Sequence, residues 1–472
     1  MPIKNKIFTI VTMAAFLIST IVVMVPKGIC LTIQEEREMS SEFMKVVRAE
    51  FPLIEDPVIT DYVNRVGKRI LAAIPPQPFD YQFHVLREDV YNAFATPAGH
   101  IFFNSGLFAA LESEEELAGI IGHEIAHVVC RHISDRIESS KKIGMATLAG
   151  MVAGVLLGAG GAGAAASALT VGSVAAGQTA ALAYSRENEM QADQLGLEYL
   201  TLAGYSGEGL LTSLKKIRSK QWYGSEQIPT YLTTHPASEA RMSTIDNWLH
   251  QQRSAAVQKR GEVGGFNLAH TRLVALYTDK KAALQRFKTN LAASPDSSLD
   301  HYGYALALTR FDQWHEAAEH MKRAIEGNAM VTAMLQDLGK IYFHDGQYAK
   351  AMEALSASSS EKNPESRLYL GRTQMEMGRM AQARDTFENL VRYKQNFTQT
   401  YYYLGESSGR LGDMFSAHYN LGRFYRQKGD LKNAGFHLNR ALKLAVDDAQ
   451  KERVALQLKA LDPKKEKKPG AG

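Results

Sequence analysis

The chain has 472 residues and a net charge of +4, and 45% of its residues are hydrophobic. This length allows two or three domains with substantial cores, and the small, dispersed positive charge argues against a nucleic-acid-binding protein. The two cysteines, Cys30 and Cys130, leave the redox compartment open, because Cys30 lies in or beside an N-terminal leader.

The N-terminus predicts either an export signal or a membrane anchor. Two lysines precede an apolar run over residues 7–25, which is long for a signal and just long enough to span a bilayer. Gly28 and Cys30 provide small residues at the −3 and −1 positions for cleavage after Cys30. We predict a signal peptide over residues 1–30 and a periplasmic protein; a retained inner-membrane anchor is the alternative.

A small β-sheet is predicted after a helical stretch over residues 31–75. Residues 81–86 alternate in polarity as a strand does, and residues 92–95 and 99–103 suggest two more strands. We predict that the last strand lies at the sheet edge, where an extended peptide substrate can add as a further strand. The residues of this predicted edge strand are Gly99, His100, Ile101 and Phe102. A sheet that is only packed into the core is the alternative.

One stretch has the pattern H-E-x-x-H within an apolar, helix-forming run. Residues four apart share a helix face, so His123 and His127 can both reach one metal ion. Glu124 lies one step around the helix, where it can act as a general base rather than a ligand. Ser113 and Glu116 predict a capping box at the start of this helix. The pattern therefore indicates a zinc hydrolase.

Residues 143–185 contain no Asp, Glu, Lys, Arg or His and are rich in Ala and Gly. This composition predicts a hairpin of two apolar helices around a glycine turn. We favour a cover packed near the active site. Peripheral membrane contact is the alternative, because close Gly/Ala packing also suits membranes.

A second acidic helix is predicted after the uncharged segment. Glu189 and Asp193 are four residues apart and therefore share a helix face. One carboxylate can bind zinc while the other accepts the second N–H of a ligand histidine. A solvent-exposed acidic face is the alternative, but the H-E-x-x-H helix nearby favours a metal site.

These motifs resemble the gluzincin peptidases of the HtpX and CAAX prenyl protease type over roughly residues 40–250. The resemblance implies one zinc ion per chain, with Glu124 as the base and Asp193 as the carboxylate that orients a ligand histidine. The implied zinc ligands are His123, His127 and Glu189.

A His-Pro-x-x-x-x-Arg element at His235 matches the same family. Pro236 biases His235 towards an extended loop. In that loop His235 or Arg241 could stabilise the oxyanion of the tetrahedral intermediate, as catalytic residues. His235 could instead occupy the open metal position as a fourth zinc ligand and keep the enzyme latent. A surface histidine without such a role is the third interpretation.

The C-terminal half predicts an α-solenoid. Small residues recur at Ala305, Gly339, Gly371 and Gly405, at spacings of 34, 32 and 34 residues, which resembles tetratricopeptide repeats. Gly422 follows Gly405 after only 17 residues, which predicts an odd helix or irregular packing there. Four to five such repeats form a groove that binds proteins; a purely structural arm is the alternative.

We therefore predict a mainly α protein with a signal peptide (1–30), a gluzincin metallopeptidase domain with a small β-sheet (31–260), a tetratricopeptide α-solenoid (261–461) and a disordered basic tail (462–472). This combination is similar to the bacterial family of periplasmic beta-barrel assembly-enhancing proteases. The resemblance implies a zinc endopeptidase of envelope quality control. It would degrade misfolded or stalled outer-membrane proteins and aid their assembly, with the barrel-assembly machinery as a partner of the repeats.

Two other functions remain open from the sequence. One is a chaperone or adaptor that acts mainly through the repeats, with a latent zinc site. The other is a quality-control peptidase anchored in the inner membrane.

Overall fold

The computed structural model describes residues 31–139, 184–222, 230–236, 238–252, 265–326, 331–358, 363–394 and 397–461. The predicted signal peptide, the uncharged segment apart from Tyr184 and Ser185, and the predicted basic tail lie outside the described residues. The chain divides into two compact units, residues 1–266 and 267–472. Among the described residues, no helix combines the length and hydrophobicity needed to cross a bilayer.

The first unit combines helices with one small sheet. Its described helices are α1 (Ile33–Glu50), α2 (Pro57–Leu71), α3 (Ser105–Ala110), α4 (Glu114–Val129), α5 (His132–Ser139), α6 (Arg186–Leu202), α7 (Glu208–Trp222), α8 (Thr230–Thr234) and α9 (Glu239–Gln252). Its described strands are β1 (Leu53–Ile54), β2 (Gln82–Leu86), β3 (Ala93–Ala95) and β4 (His100–Asn104). A 3-10 turn over Pro97–Gly99 leads into β4.

The four strands have the order β1-β2-β4-β3. Strand β4 runs parallel to β2, with His84 opposite Phe102, and antiparallel to β3, with Phe94 opposite Phe102. It is therefore an inner strand, because both of its sides are already paired. One core cluster contains Phe94 and Phe102 together with Phe43 of α1.

The prediction of a substrate-binding edge strand was wrong for this strand. His100, Ile101 and Phe102 belong to β4 and are buried or half-buried inside the sheet, and Gly99 lies in the preceding turn. The last strand in chain order is not at the edge, because the turn folds β4 back between β2 and β3. Among the described strands, β1 and β3 lie at the edges.

Helix α4 carries the H-E-x-x-H pattern and is buried along almost its whole length. Its N-cap is Ser113, whose hydroxyl accepts a hydrogen bond from the Glu116 N–H at 3.2 Å. The Glu116 carboxylate accepts instead from the Glu112 N–H at 2.7 Å. Only the N-cap half of the predicted capping box therefore forms.

Two glycine contacts bring the backbones of neighbouring helices close to α4. A Cβ at Gly196 of α6 would lie 3.2 Å from the His123 Cα, and a Cβ at Gly209 of α7 would overlap the Glu115 carbonyl. Side chains larger than glycine would push these helices apart. The glycines therefore place the acidic residues of α6 within reach of the histidines of α4.

The second unit is built from antiparallel helix pairs. Its helices are α10 (Phe266–Tyr277), α11 (Lys280–Ala293), α12 (Ser298–Thr309), α13 (Trp314–Glu326), α14 (Val331–His344), α15 (Tyr348–Ser358), α16 (Pro364–Glu376), α17 (Met380–Tyr393), α18 (Thr398–Arg410), α19 (Met414–Gln427), α20 (Leu431–Leu444) and α21 (Asp448–Lys459). A recurring contact sets a glycine of one helix against a large side chain of its partner. The pairs are Gly339 with Leu355, Gly371 with Phe387, and Gly422 with Leu438.

The irregular spacing at Gly405 and Gly422 corresponds to helix α19. Its Leu421 packs against Gly405 of α18, as in the second helix of a pair. Its own Gly422 packs against Leu438 of α20, as in the first helix of a pair. One helix thus serves two successive pairs, which explains why the sequence register shifts there.

Candidate metal centre

The two histidines of α4 point into one buried site. His123 and His127 are fully buried, and their Nε2 atoms lie 3.0 Å apart. Glu189 of α6 faces both: its Oε2 lies 3.6 Å from His123 Nε2, and its Oε1 lies 3.4 Å from His127 Nε2. The loop histidine His235 approaches from the other side, with Nδ1 at 3.0 Å from Glu189 Oε1.

These four side chains form a group that could hold a metal ion. His123, His127, Glu189 and His235 each offer one ligand atom, and these atoms lie within 4.8 Å of one another. Two imidazoles and one carboxylate are the donor set of many catalytic zinc sites. The Nδ1 atoms of both α4 histidines point to other side chains, so that both Nε2 atoms present their lone pairs to the centre. The donor chemistry therefore fits zinc.

Asp193 and Arg241 support one side of the centre. Asp193 Oδ1 lies 3.0 Å from His123 Nδ1. Arg241 donates two hydrogen bonds to Asp193, both at 2.7 Å, and its Nη1 contacts Glu189 Oε2 and the Pro236 carbonyl. Burial opposes the charge of the Asp193 carboxyl, but the Arg241 and His123 hydrogen bonds lower its pKa overall.

The contacts of Arg241 argue against its predicted role as a catalytic group at the oxyanion. Its guanidinium is 2% exposed, and all three of its nitrogens contact acceptors of the protein. It holds the two carboxylates of α6 in place rather than presenting donors to a substrate. Arg241 is therefore a positioning residue.

Glu124 lies inside the centre, and its carboxylate accepts no hydrogen bond from the described residues. It is fully buried, and Oε1 lies 3.7 Å from His235 Nε2. Burial raises the pKa of Glu124, and the nearby His235 and His123 oppose this shift. A buried carboxylate with free oxygens and a raised pKa has the properties of a general base.

Three side chains at the site, His132, Gln191 and Tyr184, were not predicted from the sequence. His132 lies with Nδ1 at 3.0 Å from His127 Nδ1, and its Nε2 lies 3.0 Å from Gln191 Oε1. The Tyr184 ring lies 4.0 Å from the His127 ring and 4.8 Å from the His235 ring. No spacing rule identifies these residues, although Tyr184 directly precedes the N-cap of α6 and His132 begins α5.

His235 is held between aromatic rings. The Tyr231 ring stacks on it at 4.5 Å and 17°, while Tyr184 covers it from another direction. The Tyr184 N–H also donates to the Thr234 carbonyl at 2.9 Å, which ties the His235 loop to the start of α6. The loop histidine is therefore a built part of the centre and not a surface residue.

Comparison with known proteins agrees with this geometry. Residues 57–249 match the model of peptidase family M48, and residues 342–404 and 415–447 match models of the tetratricopeptide repeat. The chain is a zinc metallopeptidase with an M48 domain and C-terminal tetratricopeptide repeats. The matched M48 range contains every residue of the buried centre. Peptidases of this family depend on zinc.

The relatives of the M48 and repeat regions are proteases. The chain is 27% identical over 377 residues to the beta-barrel assembly-enhancing protease of Escherichia coli, covering 77% of this chain and 75% of that protein. It is 32% identical over 297 residues to a putative beta-barrel assembly-enhancing protease of Vibrio cholerae, covering 61% and 60%. It is 26% identical over 225 residues to the mitochondrial metalloendopeptidase OMA1 of Schizosaccharomyces pombe, covering 45% and 61%.

These matches confirm the predicted class of enzyme and the predicted mainly α fold with an α-solenoid. They do not assign individual residues of the centre. The geometry supports the predicted ligand set and the predicted base, and these roles and that of His235 remain predictions.

Proposed function

We propose that the protein is an exported zinc endopeptidase that cleaves misfolded or stalled outer-membrane proteins and aids their assembly. The observation that carries the catalytic part is the buried group of His123, His127 and Glu189 around the unpartnered carboxylate of Glu124. The names of the Escherichia coli and Vibrio cholerae relatives support a role in barrel assembly.

In this proposal His123, His127 and Glu189 hold the zinc ion, which when bound polarises the substrate carbonyl and acidifies water. Glu124 takes the proton of the attacking water and passes it to the leaving amine. Asp193 and Arg241 keep His123 and Glu189 in place. His235, when it turns from Glu189, can donate to the oxyanion of the tetrahedral intermediate.

A substrate strand would add to β3 rather than to β4. The Thr96 N–H donates to the His100 carbonyl, and the Asn104 N–H donates to the Asn92 carbonyl. In an antiparallel pair this alternation turns the backbone groups of Ala93 and Ala95 away from β4. These groups have the direction needed to pair with an extended peptide, but Ala93 and Ala95 are fully buried, so the peptide would have to displace what covers them. The proposal thus keeps the predicted mode of substrate binding and moves it to the other strand.

The first test is the variant Glu124→Gln, compared with the wild-type full chain. We expect cleavage of unfolded fluorescent casein to fall by about 10²–10⁴-fold, because the amide cannot take a proton. Zinc content, measured by atomic emission, should stay at one ion per chain because Glu124 is not a ligand. Undiminished cleavage by the variant would refute the assignment of Glu124.

A second candidate function is a chaperone or adaptor with a latent zinc site. The observation that favours it is the burial of His235 within the same ligand group, where it can be a fourth zinc ligand. Zinc X-ray absorption spectra of the wild type and His235→Ala distinguish the two states. Three protein histidines at zinc in the wild type, and two in the variant, support latency; two in both support a ready enzyme.

Export and partner binding complete the proposal. Cleavage after Cys30 would give a mature chain that begins at Leu31, and N-terminal sequencing of the protein from a bacterial periplasm tests this against a retained anchor. A photo-crosslinker at Tyr402, which is 40% exposed in the repeats, tests for contacts with the barrel-assembly machinery. Liposome flotation with and without residues 143–185 tests for peripheral membrane contact.

A further inference from the structure

We propose that His132 and Gln191 form a neutral hydrogen-bond relay that fixes the tautomer and orientation of His127. The two residues are positioning residues for metal binding. The inference rests on the proposed function in one respect, namely that His127 is a zinc ligand. It assigns a role to two side chains other than the H-E-x-x-H residues and the acidic pair Glu189 and Asp193.

The relay is a chain of two hydrogen bonds that leads away from the metal centre. His127 Nδ1 lies 3.0 Å from His132 Nδ1, and His132 Nε2 lies 3.0 Å from Gln191 Oε1. His132 is 2% exposed, so water cannot replace these contacts freely. Gln191 lies on α6, two residues after the proposed ligand Glu189.

The proton positions in this chain follow from metal binding. A hydrogen bond between two imidazole nitrogens needs one proton. His127 must leave Nε2 free for the metal, so its proton is on Nδ1 and is donated to His132 Nδ1. His132 then carries its own proton on Nε2 and donates it to Gln191. The Gln191 oxygen accepts this hydrogen bond, in agreement with the tautomers that metal binding requires.

The two ligand histidines of α4 are thus supported in different ways by one helix. Asp193 of α6 supports His123 with a charge that Arg241 balances. Gln191 of the same helix supports His127 through a neutral imidazole. A further buried carboxylate would need another buried cation to balance it. The neutral relay orients His127 without that cost.

A backbone reversal between α4 and α5 makes the relay possible. Arg131 has a left-handed conformation with φ 56°, which is unfavourable for a residue other than glycine. This turn brings His132 back beside His127, only five residues earlier in the chain. The Arg131 side chain donates to buried Glu36 of α1 at 2.7 Å and also contacts the Leu31 carbonyl. The ion pair therefore stabilises a strained residue next to the relay.

The test measures zinc affinity rather than cleavage. The dissociation constant of zinc is determined for the full chain by competition with a chromogenic chelator. We expect His132→Leu to weaken zinc binding about 10–100-fold, as for other partners of ligand histidines. His132→Gln should stay close to the wild type, because its amide can accept from His127 and donate to Gln191. Gln191→Leu should weaken binding less than His132→Leu does.

A matched control is His84→Leu. His84 Nε2 lies 3.0 Å from His100 Nδ1, so this variant also breaks an imidazole pair in the first unit, but away from the centre. Its zinc affinity should equal that of the wild type. Visible absorption of the cobalt-substituted proteins gives a second measurement, since a misoriented His127 should change the intensity of the ligand-field bands in His132→Leu and, to a smaller extent, in Gln191→Leu, but not in His84→Leu.

His127→Ala separates the failure of the relay from the failure of the ligand set. If His127→Ala weakens zinc binding and a folded His132→Leu stays within twofold of the wild type, the relay is refuted and the ligand set stands. If neither variant weakens binding, the proposed ligand set is refuted as well. Should His132→Leu not fold, Gln191→Leu decides, because its position on α6 is exposed; unchanged affinity and unchanged cobalt spectra in that variant refute the relay.

Discussion

The metal centre and the repeat array are stabilised in opposite ways. The centre joins residues from four separate parts of the chain, as in the pairs His123–Asp193 and Glu124–His235, and it buries several charged groups whose contacts each occur once. The array repeats one apolar contact, glycine against a large side chain 16 residues away, at Gly339, Gly371 and Gly422. One substitution in the centre should therefore affect several groups at once, whereas one in the array should have a local effect.

The largest effect is expected at Arg241. Arg241→Ala leaves the carboxylates of Asp193 and Glu189 buried without their cation, which should lower the free energy of unfolding of the first unit by about 3–5 kcal/mol. Zinc should also be lost, because His123 and Glu189 both depend on these contacts. Urea denaturation followed by far-UV circular dichroism measures the first effect, and zinc analysis the second.

Arg241→Lys serves as the control, since lysine keeps the charge but not the paired hydrogen bonds. An intermediate stability is expected for it. If Arg241→Ala keeps wild-type stability and full zinc content, then Asp193, Glu189 and His123 do not depend on Arg241.

The array should respond differently to a comparable change. In Gly371→Ala the new Cβ would overlap the ring of Phe387, so the second unit should lose about 1–3 kcal/mol. The double variant with Phe387→Leu should recover part of the loss. Zinc content should be unchanged in both. Denaturation curves of the two variants and the wild type check this expectation.

Gly409→Ala is the matched control, because its Cβ would make only an ordinary contact at 3.4 Å with Ala417. Alanine favours the helix, so this variant should be as stable as the wild type or slightly more stable. A loss as large as that of Gly371→Ala would contradict the role given to the close glycine contacts.

The same contrast explains what the sequence could predict. The array is predictable because each contact joins residues at a fixed short spacing, and even the irregularity at Gly422 has a cause in helix α19. His123, Glu124 and His127 are predictable because helix geometry places them on one face. Glu189 and Asp193 follow by the same spacing rule.

Other parts of the site depend on tertiary structure and were missed or misassigned. His132 reaches His127 only through the left-handed turn at Arg131, and Tyr184 reaches it only because the His235 loop pairs with the start of α6. The contacts of Arg241 could not be predicted because its carboxylate partners, Glu189 and Asp193, lie on another helix. The edge of the sheet was misassigned because strand order in space differs from order in the chain.

Each unit contains a histidine pair, so that the effect of acidic pH on stability can be compared between the two units. Burial, then His100 and Arg48, lowers the pKa of His84 to about 4. Burial, then His301 and Arg323, lowers the pKa of His320 to about 4. Both groups are neutral when folded and bind protons more readily when unfolded. Stability should therefore fall as the pH drops from about 6.5 towards 4.

The loss of stability at acidic pH should be larger for His84 than for His320. His84 lies mostly within the protein, and its contribution between pH 7 and 5 should be about 1–2 kcal/mol. His320 is more exposed, so solvent should reduce its effect. Melting temperatures of wild type, His84→Gln and His320→Gln at pH 7 and pH 5 measure both. If His84→Gln leaves the acid sensitivity of the first unit unchanged, the assignment of this pair is refuted.

The smallest effects are expected at helix N-caps, which are local in both units. Ser113 caps the metal helix α4, and Asp279 caps α11 by accepting from Lys281 and Ala282 N–H groups at 3.0 and 2.8 Å. Alanine at either position should cost about 1 kcal/mol in its own unit. Ser113→Ala should leave zinc affinity within twofold of the wild type, because packing along α4 holds His123 independently of the first turn. A tenfold loss of zinc affinity would contradict this expectation. It would mean that the position of His123 depends on the first turn of α4, so that substitutions along the whole helix affect the metal centre.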